Sequence, residues 1–223
     1  MRERAQVPFE FCCCIELRQM LGLKAETEKE LAGLIKLVSL DSIYYHTCGL
    51  LLRHRYRAGA FSNDFATWVA VQVGDRVLGE RLAMLDLLSF DTLVDLRDEI
   101  VSVFDGHLKN IIVVPRVVYG EPFHFIQSRI VAVPAGTVAY TLEEFRQAVS
   151  EVDDRTLYYH TLEARVRLKH GRNDFAAWLR DGLNLPTLAA RIGALDPFTG
   201  GLERVRTQML AYCDQTLAQG RDL

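Results

Sequence analysis

The chain has 223 residues, of which 49% are apolar and 25% are charged, and its formal net charge is −3. This apolar content is enough for a substantial core, and the weak negative charge argues against broad, non-specific binding to nucleic acids or acidic membranes. No apolar run is long enough to span a bilayer, and the N-terminus lacks the pattern of a signal peptide. We therefore expect a cytoplasmic protein with no membrane-spanning segment.

Two strands are the first predicted elements of each half of the chain. In residues 9–18, apolar side chains from Phe9 to Leu17 occupy every second position, which predicts one buried strand face. Residues 123–133 are also rich in Phe, Ile and Val and predict a second strand. Gly22 and Gly136 follow and predict turns. We expect the two strands to pair with each other.

Helices fill most of the remaining chain. Thr27 and Thr141 are predicted N-caps, each followed three residues later by a glutamate, which is the spacing of a capping box. Further helices are predicted to carry the two Tyr-Tyr-His-Thr segments, ending at about residues 56 and 169. Others are predicted to start at Asn63 and Asn173, and to cover about residues 76–85, 92–108, 186–195 and 202–217. Residues 111–118 are mostly isoleucine and valine and are interpreted as either a linker or an additional strand.

Three motifs occur twice, in the same order. Pro-Phe-x-Phe stands at residues 8–11 and 122–125, and Tyr-Tyr-His-Thr stands at residues 44–47 and 158–161, both pairs 114 residues apart. Asn-Asp-Phe-Ala-x-Trp begins at Asn63 and Asn173, 110 residues apart, so the first copy has four additional residues. These matches predict a tandem duplication, with repeats at 1–118 and 119–223.

The repeats and the predominance of helical periodicity together predict the fold class. We expect a predominantly α-helical α+β protein, in which each repeat is a short strand plus a helical bundle and the two repeats are related by a pseudo-two-fold axis.

The Tyr-Tyr-His segments contain the candidate functional side chains. Successive helical residues point about 100° apart, so the three side chains cannot all face one pocket. The histidine could be a general base, a metal ligand or a buried hydrogen-bonded residue. The aspartate of Asn-Asp could belong to a helix N-terminus or could orient the histidine. The candidate ligand-binding residues are Tyr45, His46, Asp64, Tyr159, His160, Glu163 and Asp174.

A metal or catalytic site is the alternative interpretation. His160 and Glu163 are three residues apart, the reverse of the Glu-x-x-His element of di-metal helical bundles, but Gly49 occupies the matching position in the first copy. The chain lacks phosphate-loop, dinucleotide, esterase and zinc-protease motifs. We predict no cofactor and no bound metal. The alternative is an enzyme with an acid–base or metal-assisted site formed by His160, Glu163 and Asp174.

The duplicated motifs resemble those of a bacterial family of uncharacterised proteins, a domain of unknown function, over nearly the whole chain. In addition to the motifs above, the resemblance includes Leu-Gly-Glu-Arg-Leu at residues 78–82 and Leu-Asp-Pro at residues 195–197. It implies a bacterial, cytoplasmic protein but no activity. We therefore predict a non-catalytic binding or scaffold module, whose partner is an unknown protein or small-molecule ligand.

Overall fold

The computed structural model describes residues 4–53, 61–109, 120–168 and 173–219. Helices account for 58% and strands for 18% of the described residues, which confirms the predicted α+β class with a predominance of helix. The strands are β1 (Phe9–Ala25) and β2 (Phe123–Ala139). The helices between them are α1 (Glu28–Ile35), α2 (Leu40–His46), α3 (Leu50–Arg53), α4 (Asp64–Trp68), α5 (Arg76–Ala83) and α6 (Leu93–Leu108).

The helices after β2 are α7 (Leu142–Glu151), α8 (Asp154–Tyr158), α9 (Ala164–Leu168), α10 (Asp174–Asp181), α11 (Pro186–Gly193) and α12 (Gly201–Gln219). Two segments are π-helical, namely Val69–Val73 after α4 and Tyr159–Glu163 between α8 and α9. Residues 111–118, for which the sequence predicts a linker or a strand, lie outside the described residues.

The strands β1 and β2 pair in a two-stranded antiparallel sheet, as expected. Both are longer than predicted, because Gly22 and Gly136 lie within strands and not in turns. Their φ angles of +70° and +74° fall in the left-handed region that glycine adopts without strain, which is typical of a β-bulge. The predicted single buried face of β1 was also wrong, because Phe9, Phe11 and Cys14 are buried and Ile15 is exposed.

The chain forms two compact units that divide both strands. One, here called the split unit, comprises Met1–Ile15 and Ile130–Leu223, and the other, the continuous unit, comprises Glu16–Arg129. This is a different division from the sequence repeats at 1–118 and 119–223. Each unit combines the helices of one sequence repeat with the first strand segment of the other repeat.

In the continuous unit, the start of β2 packs against the helix that contains Trp68. The ring centroid of Phe123 lies 5.3 Å from that of Phe65 and 5.9 Å from that of Trp68. The indole Nε1 of Trp68 donates to the carbonyl oxygen of Glu121 at 2.9 Å. Phe125 and Phe65 are fully buried, so the strand supplies a large part of the apolar core.

The split unit contains the corresponding contacts with different residues. The ring centroid of Phe9 lies 5.2 Å from that of Phe175 and 5.7 Å from that of Trp178. Trp178 Nε1 donates to the carbonyl oxygen of Val7 at 3.0 Å. Phe11 packs against Phe145 at 5.9 Å. The N-terminal segment of the chain is therefore part of a core that is otherwise built from the last 94 residues.

Both predicted helix caps form, with one difference from the expected capping box. The hydroxyl of Thr27 accepts from the backbone N–H of Glu30, and that of Thr141 does so from Glu144. The carboxylate of Glu30 accepts from the backbone N–H of Glu26, one residue before the cap, and the second copy repeats this arrangement. Each glutamate therefore also satisfies a backbone N–H group that precedes its helix.

Two helical glycines provide a test of the packing. A Cβ added at Gly79 would lie 2.6 Å from the Cβ of Ala70, whereas a Cβ at the exposed Gly33 would meet nothing within 4 Å. We expect Gly79→Ala to lower the free energy of unfolding by about 1–3 kcal/mol through overpacking. Gly33→Ala, the matched control, should raise it by up to about 1 kcal/mol through helix propensity. Urea unfolding measures both, and a Gly79→Ala protein as stable as the wild type would contradict the packing.

Candidate functional site

In the continuous unit, His46 lies at the end of α2 and is only 3% exposed. Its Nδ1 lies 2.8 Å from Oδ2 of Asp64, and its Nε2 lies 3.1 Å from the backbone nitrogen of Ile126 in β2. A backbone N–H can only donate, so Nε2 must accept through its lone pair. The proton of the neutral ring is therefore on Nδ1, from which it is donated to Asp64.

In the split unit, His160 has the same set of partners. Its Nδ1 lies 2.8 Å from Oδ2 of Asp174, and its Nε2 accepts from the backbone N–H of Cys12 in β1 at 2.8 Å. The ring is also 3% exposed. Cys12 and Ile126 are 114 residues apart, the same offset that separates His46 from His160.

We call each of these arrangements a histidine anchor, consisting of an aspartate, a buried histidine and a strand N–H. In each anchor, one buried hydrogen bond, from the strand N–H to histidine Nε2, holds a strand segment against the helices of its unit. Nδ1 carries the proton and the lone pair of Nε2 accepts from the strand, so the ring has no lone pair available to abstract a proton or ligate a metal while the strand remains bound. Loss of one partner would leave a buried polar group unsatisfied.

Burial and charge fix the protonation states in the continuous unit. Burial lowers the pKa of His46, which the hydrogen bond and charge of Asp64 oppose only in part, and the charge of Arg53 lowers it further. For Asp64, burial raises the pKa, but the hydrogen bond from His46 and the charge of Arg53 outweigh it and hold the pKa below its usual value. His46 is therefore neutral and Asp64 is ionised at neutral pH.

A group of charged residues surrounds the ring of Tyr45 in the same unit. The guanidinium carbon of Arg53 lies 4.0 Å from the centroid of the Tyr45 ring, and that of Arg18 lies 5.9 Å from it. Arg53 also donates to Oδ2 of Asp64 at 2.9 Å and to the carbonyl oxygen of Tyr45 at 2.7 Å. Arg18 Nε donates to Oε2 of Glu16 at 2.6 Å.

We call Glu16, Arg18, Tyr45 and Arg53 the Tyr45 cluster. The side chain of Glu16 is 7% exposed, and its Oε1 atom is buried with no hydrogen-bond partner in the described part of the chain. A carboxylate oxygen in this position is costly without a donor. Sequence reasoning missed Glu16 and Arg18. The signal was present, because the matching positions of the second copy carry Ile130 and Ala132.

The structure separates the seven predicted site residues by unit. Tyr45, His46 and Asp64 come together through Arg53 in the continuous unit, and His160 and Asp174 form the anchor of the split unit. Tyr159 and Glu163 begin and end the π-helical turn that contains His160. In the continuous unit, a Cβ at Gly49 would lie 2.9 Å from the carbonyl oxygen of Tyr45, so this position cannot take the glutamate of the second copy without a shift of the backbone.

The described ranges contain no candidate metal centre and no disulfide bond. There, no group of three or more His, Cys, Asp or Glu side chains is placed to hold a metal ion. All five cysteines lie in these ranges, and none forms a disulfide bond. No helix among these residues is long and apolar enough to cross a bilayer.

The fold and the anchors define a class of mainly helical α+β proteins in which buried histidine–aspartate pairs hold two long paired strands. The chain belongs to the family of unknown function DUF5752, whose family model matches residues 6–214. It is similar to the solved structure of OrfY from Thermoproteus tenax, with a TM-score of 0.82 and 25% sequence identity over 96% of this chain and 97% of that one. No curated protein matches the chain significantly.

The lowered pKa of His46 predicts a loss of stability in mild acid. Below the ordinary histidine pKa of 6.5, His46 binds a proton in the unfolded chain but not in the folded protein. The free energy of unfolding therefore falls as the pH drops toward the pKa of His46 in the folded protein. The slope from this group is at most about 1.4 kcal/mol per pH unit. His46→Gln should lose this component, so the stability gap between wild type and variant should narrow from about pH 8 to about pH 5.

Urea unfolding at several pH values measures this gap. His124→Gln is the matched control, because His124 is an exposed histidine on β2. A gap between wild type and His46→Gln that stays constant across the pH range would contradict the lowered pKa of His46.

The anchor geometry also predicts the tautomer of each ring. We expect both His46 and His160 to carry their proton on Nδ1 at neutral pH, because each Nε2 accepts from a backbone N–H. Long-range ¹H–¹⁵N NMR correlations distinguish the tautomers, and the exposed His124 serves as the reference ring. A protonated Nε2 on either buried histidine would show that the strand N–H is not bound there.

Proposed function

We propose that this chain is a non-catalytic binding or scaffold module with its ligand site near the Tyr-Tyr-His helices. One observation supports the absence of catalysis in this proposal: both ring nitrogens of each anchor histidine already form hydrogen bonds within the protein. A general base needs a lone pair directed at the substrate, and here each lone pair is directed at a strand N–H. The histidines then have a structural role, and the residues next to them make the ligand contacts.

The Tyr45 cluster is the ligand surface that this proposal favours. It contains the predicted site residue Tyr45 and also Arg53, the direct partner of Asp64, and it combines buried and exposed charges. The side chain of Arg18 is 51% exposed, whereas that of Arg53 is 14% exposed. The partnerless Oε1 of Glu16 is an acceptor that a hydrogen-bond donor of the ligand would satisfy.

We further propose that the chain arose by tandem duplication of one strand-and-helix repeat. Support comes from pairs of contacts at constant offsets, which include the indole bonds of Trp68 and Trp178 and the two strand N–H bonds to histidine. Residues of the Tyr45 cluster differ between the copies, so the ligand site belongs to one copy only. A bacterial, cytoplasmic origin, which the resemblance of the motifs implies, completes the proposal, and the lack of a disulfide bond among the five cysteines fits a reducing compartment.

An enzyme with His160, Glu163 and Asp174 is the second candidate. The observation that favours it is the π-helical turn Tyr159–Glu163, because π-helical turns inside helices are frequent at functional sites. The continuous unit has α-helix at the matching residues up to His46. In this candidate, the chemistry would depend on the second copy alone.

A thermal-shift screen of nucleotides, amino acids, sugars and organic acids tests the binding module. A ligand at a hundredfold excess over its Kd stabilises by about 2.7 kcal/mol. We expect the shift to be lost in Arg18→Ala and retained in Arg129→Ala, a control arginine on β2 whose side chain is 81% exposed. A shift that is equally retained in both variants would place the ligand away from the Tyr45 cluster.

Recovery of the ligand separates binding from catalysis. Mass spectrometry after prolonged incubation should return the ligand chemically unchanged. His46→Asn and His160→Asn form a matched pair, because each removes the Nε2 acceptor of one anchor. Conversion of the ligand that stops in His160→Asn and continues in His46→Asn would establish the enzyme and refute the non-catalytic module.

A further inference from the structure

A surface cleft in the split unit lies outside the histidine anchors and outside the Tyr45 cluster. It has a volume of about 440 Å³ and lies where the end of α11 meets the first half of α12. Its polar lining consists of Arg191, Asp196, Thr199, Arg204, Gln208 and Tyr212. Two cations, an aromatic ring and an amide therefore face one concave surface.

Both arginines are held in place by neighbours. The guanidinium carbon of Arg191 lies 3.8 Å from the centroid of the Tyr212 ring, and its Nη2 donates to Oε1 of Gln215 at 2.8 Å. Arg204 Nη1 donates to the carbonyl oxygen of Thr199 at 3.0 Å. A guanidinium that is already ordered loses little entropy on binding an anion, and its remaining N–H groups point away from the bonds it makes.

The loop before α12 accounts for the position of Arg204. Gly200 has a φ of +131°, and a Cβ there would lie 2.6 Å from Cδ of Arg204. Only glycine therefore allows the Arg204 side chain to lie across this loop. Arg204 is in the first turn of α12, a helix of 19 residues, so the positive end of the helix adds to the charge of the two arginines.

The one carboxylate of the lining is already engaged. Asp196 Oδ1 accepts from the backbone N–H of Phe198 at 2.7 Å, and Oδ2 accepts from Oγ1 of Thr199 at 2.5 Å. Asp196 thus shapes the loop with both oxygens, whereas Arg191 bonds to Gln215 and Arg204 bonds to the carbonyl oxygen of Thr199. The cleft keeps an excess of positive charge.

We propose that this cleft binds a small molecule carrying an oxyanion, either a phosphate or a carboxylate group. Arg191 and Arg204 supply charged donors, which pair with both kinds of oxyanion in a bidentate manner. Gln208 adds a neutral polar contact, and Tyr212 with the stacked Arg191 forms a flat wall for the body of the ligand. The site is distinct from the Tyr45 cluster, which lies in the continuous unit.

The continuous unit offers a matched control. Its cleft at the end of α5, about 410 Å³ in volume, is lined by Arg81, Met84, Ser102, Val103 and Gly106. Arg81 precedes Arg191 by 110 residues, and Ser102 stands at the same offset from Tyr212. This lining has one arginine and no aromatic ring, so the proposal assigns it no oxyanion affinity.

NMR titration of the full chain with inorganic phosphate, and separately with citrate, tests the site at ionic strength kept constant with chloride. We expect saturable shifts at Arg191, Arg204 and Gln208 with at least one probe. Arg204→Gln and Arg191→Gln should each weaken the binding by about tenfold or more, because each removes a charged donor. Arg81→Gln should leave it unchanged.

The response to the two probes identifies the group, because saturation by phosphate alone indicates a phosphorylated ligand and saturation by citrate alone a carboxylated one. Both arginines are exposed, so the variants should fold, and their thermal unfolding is compared with that of the wild type. The proposal is overturned if neither probe saturates, if chloride alone reproduces the shifts, or if Arg81→Gln weakens binding as much as Arg204→Gln.

Discussion

In each unit, one strand N–H donates to a buried histidine, whose other nitrogen donates to an aspartate at the start of a helix. This bond brings β-structure and helices together in a core where water cannot substitute for a missing partner. Around it, the Phe-x-Phe rings of the strand pack on the aromatic residues of the helices. If the strand were not bound in this way, the buried histidine would lack one hydrogen-bond partner and several aromatic rings would be exposed.

This dependence explains why three separated motifs recur as a set. The strand motif brings the N–H, the Tyr-Tyr-His segment brings the ring, and the Asn-Asp segment brings the carboxylate. The asparagine has its own role, because Asn63 and Asn173 cap their helices by accepting from Ala66 and Ala176. The cap fixes the first turn of the helix, and the aspartate that follows it is thereby directed at the histidine.

The two units share this frame but differ in the charges around it. The continuous unit places Glu16 and Arg18 beside Tyr45, where the matching positions carry Ile130 and Ala132. The split unit has the arginine-lined cleft at α11 and α12, whereas the cleft of the continuous unit is lined by Arg81, Met84, Ser102, Val103 and Gly106. The buried polar groups of this shared frame are satisfied by hydrogen bonds within it, so the residues around the frame can differ between the two units. These differences mark the surfaces where we propose that ligands bind.

The sequence by itself determined the features that depend on neighbouring residues. It predicted the helices, the threonine caps, the α+β class and the recurrence of the motifs, because periodicity and capping are local. It failed at Gly22 and Gly136, because a glycine with positive φ fits a bulge inside a strand as well as a turn. Only the tertiary structure decided which strand segment meets which histidine, which ring nitrogen holds the proton, and that Glu16 and Arg18 join Tyr45. These outcomes depend on partners dozens of residues away, and no local pattern specifies them.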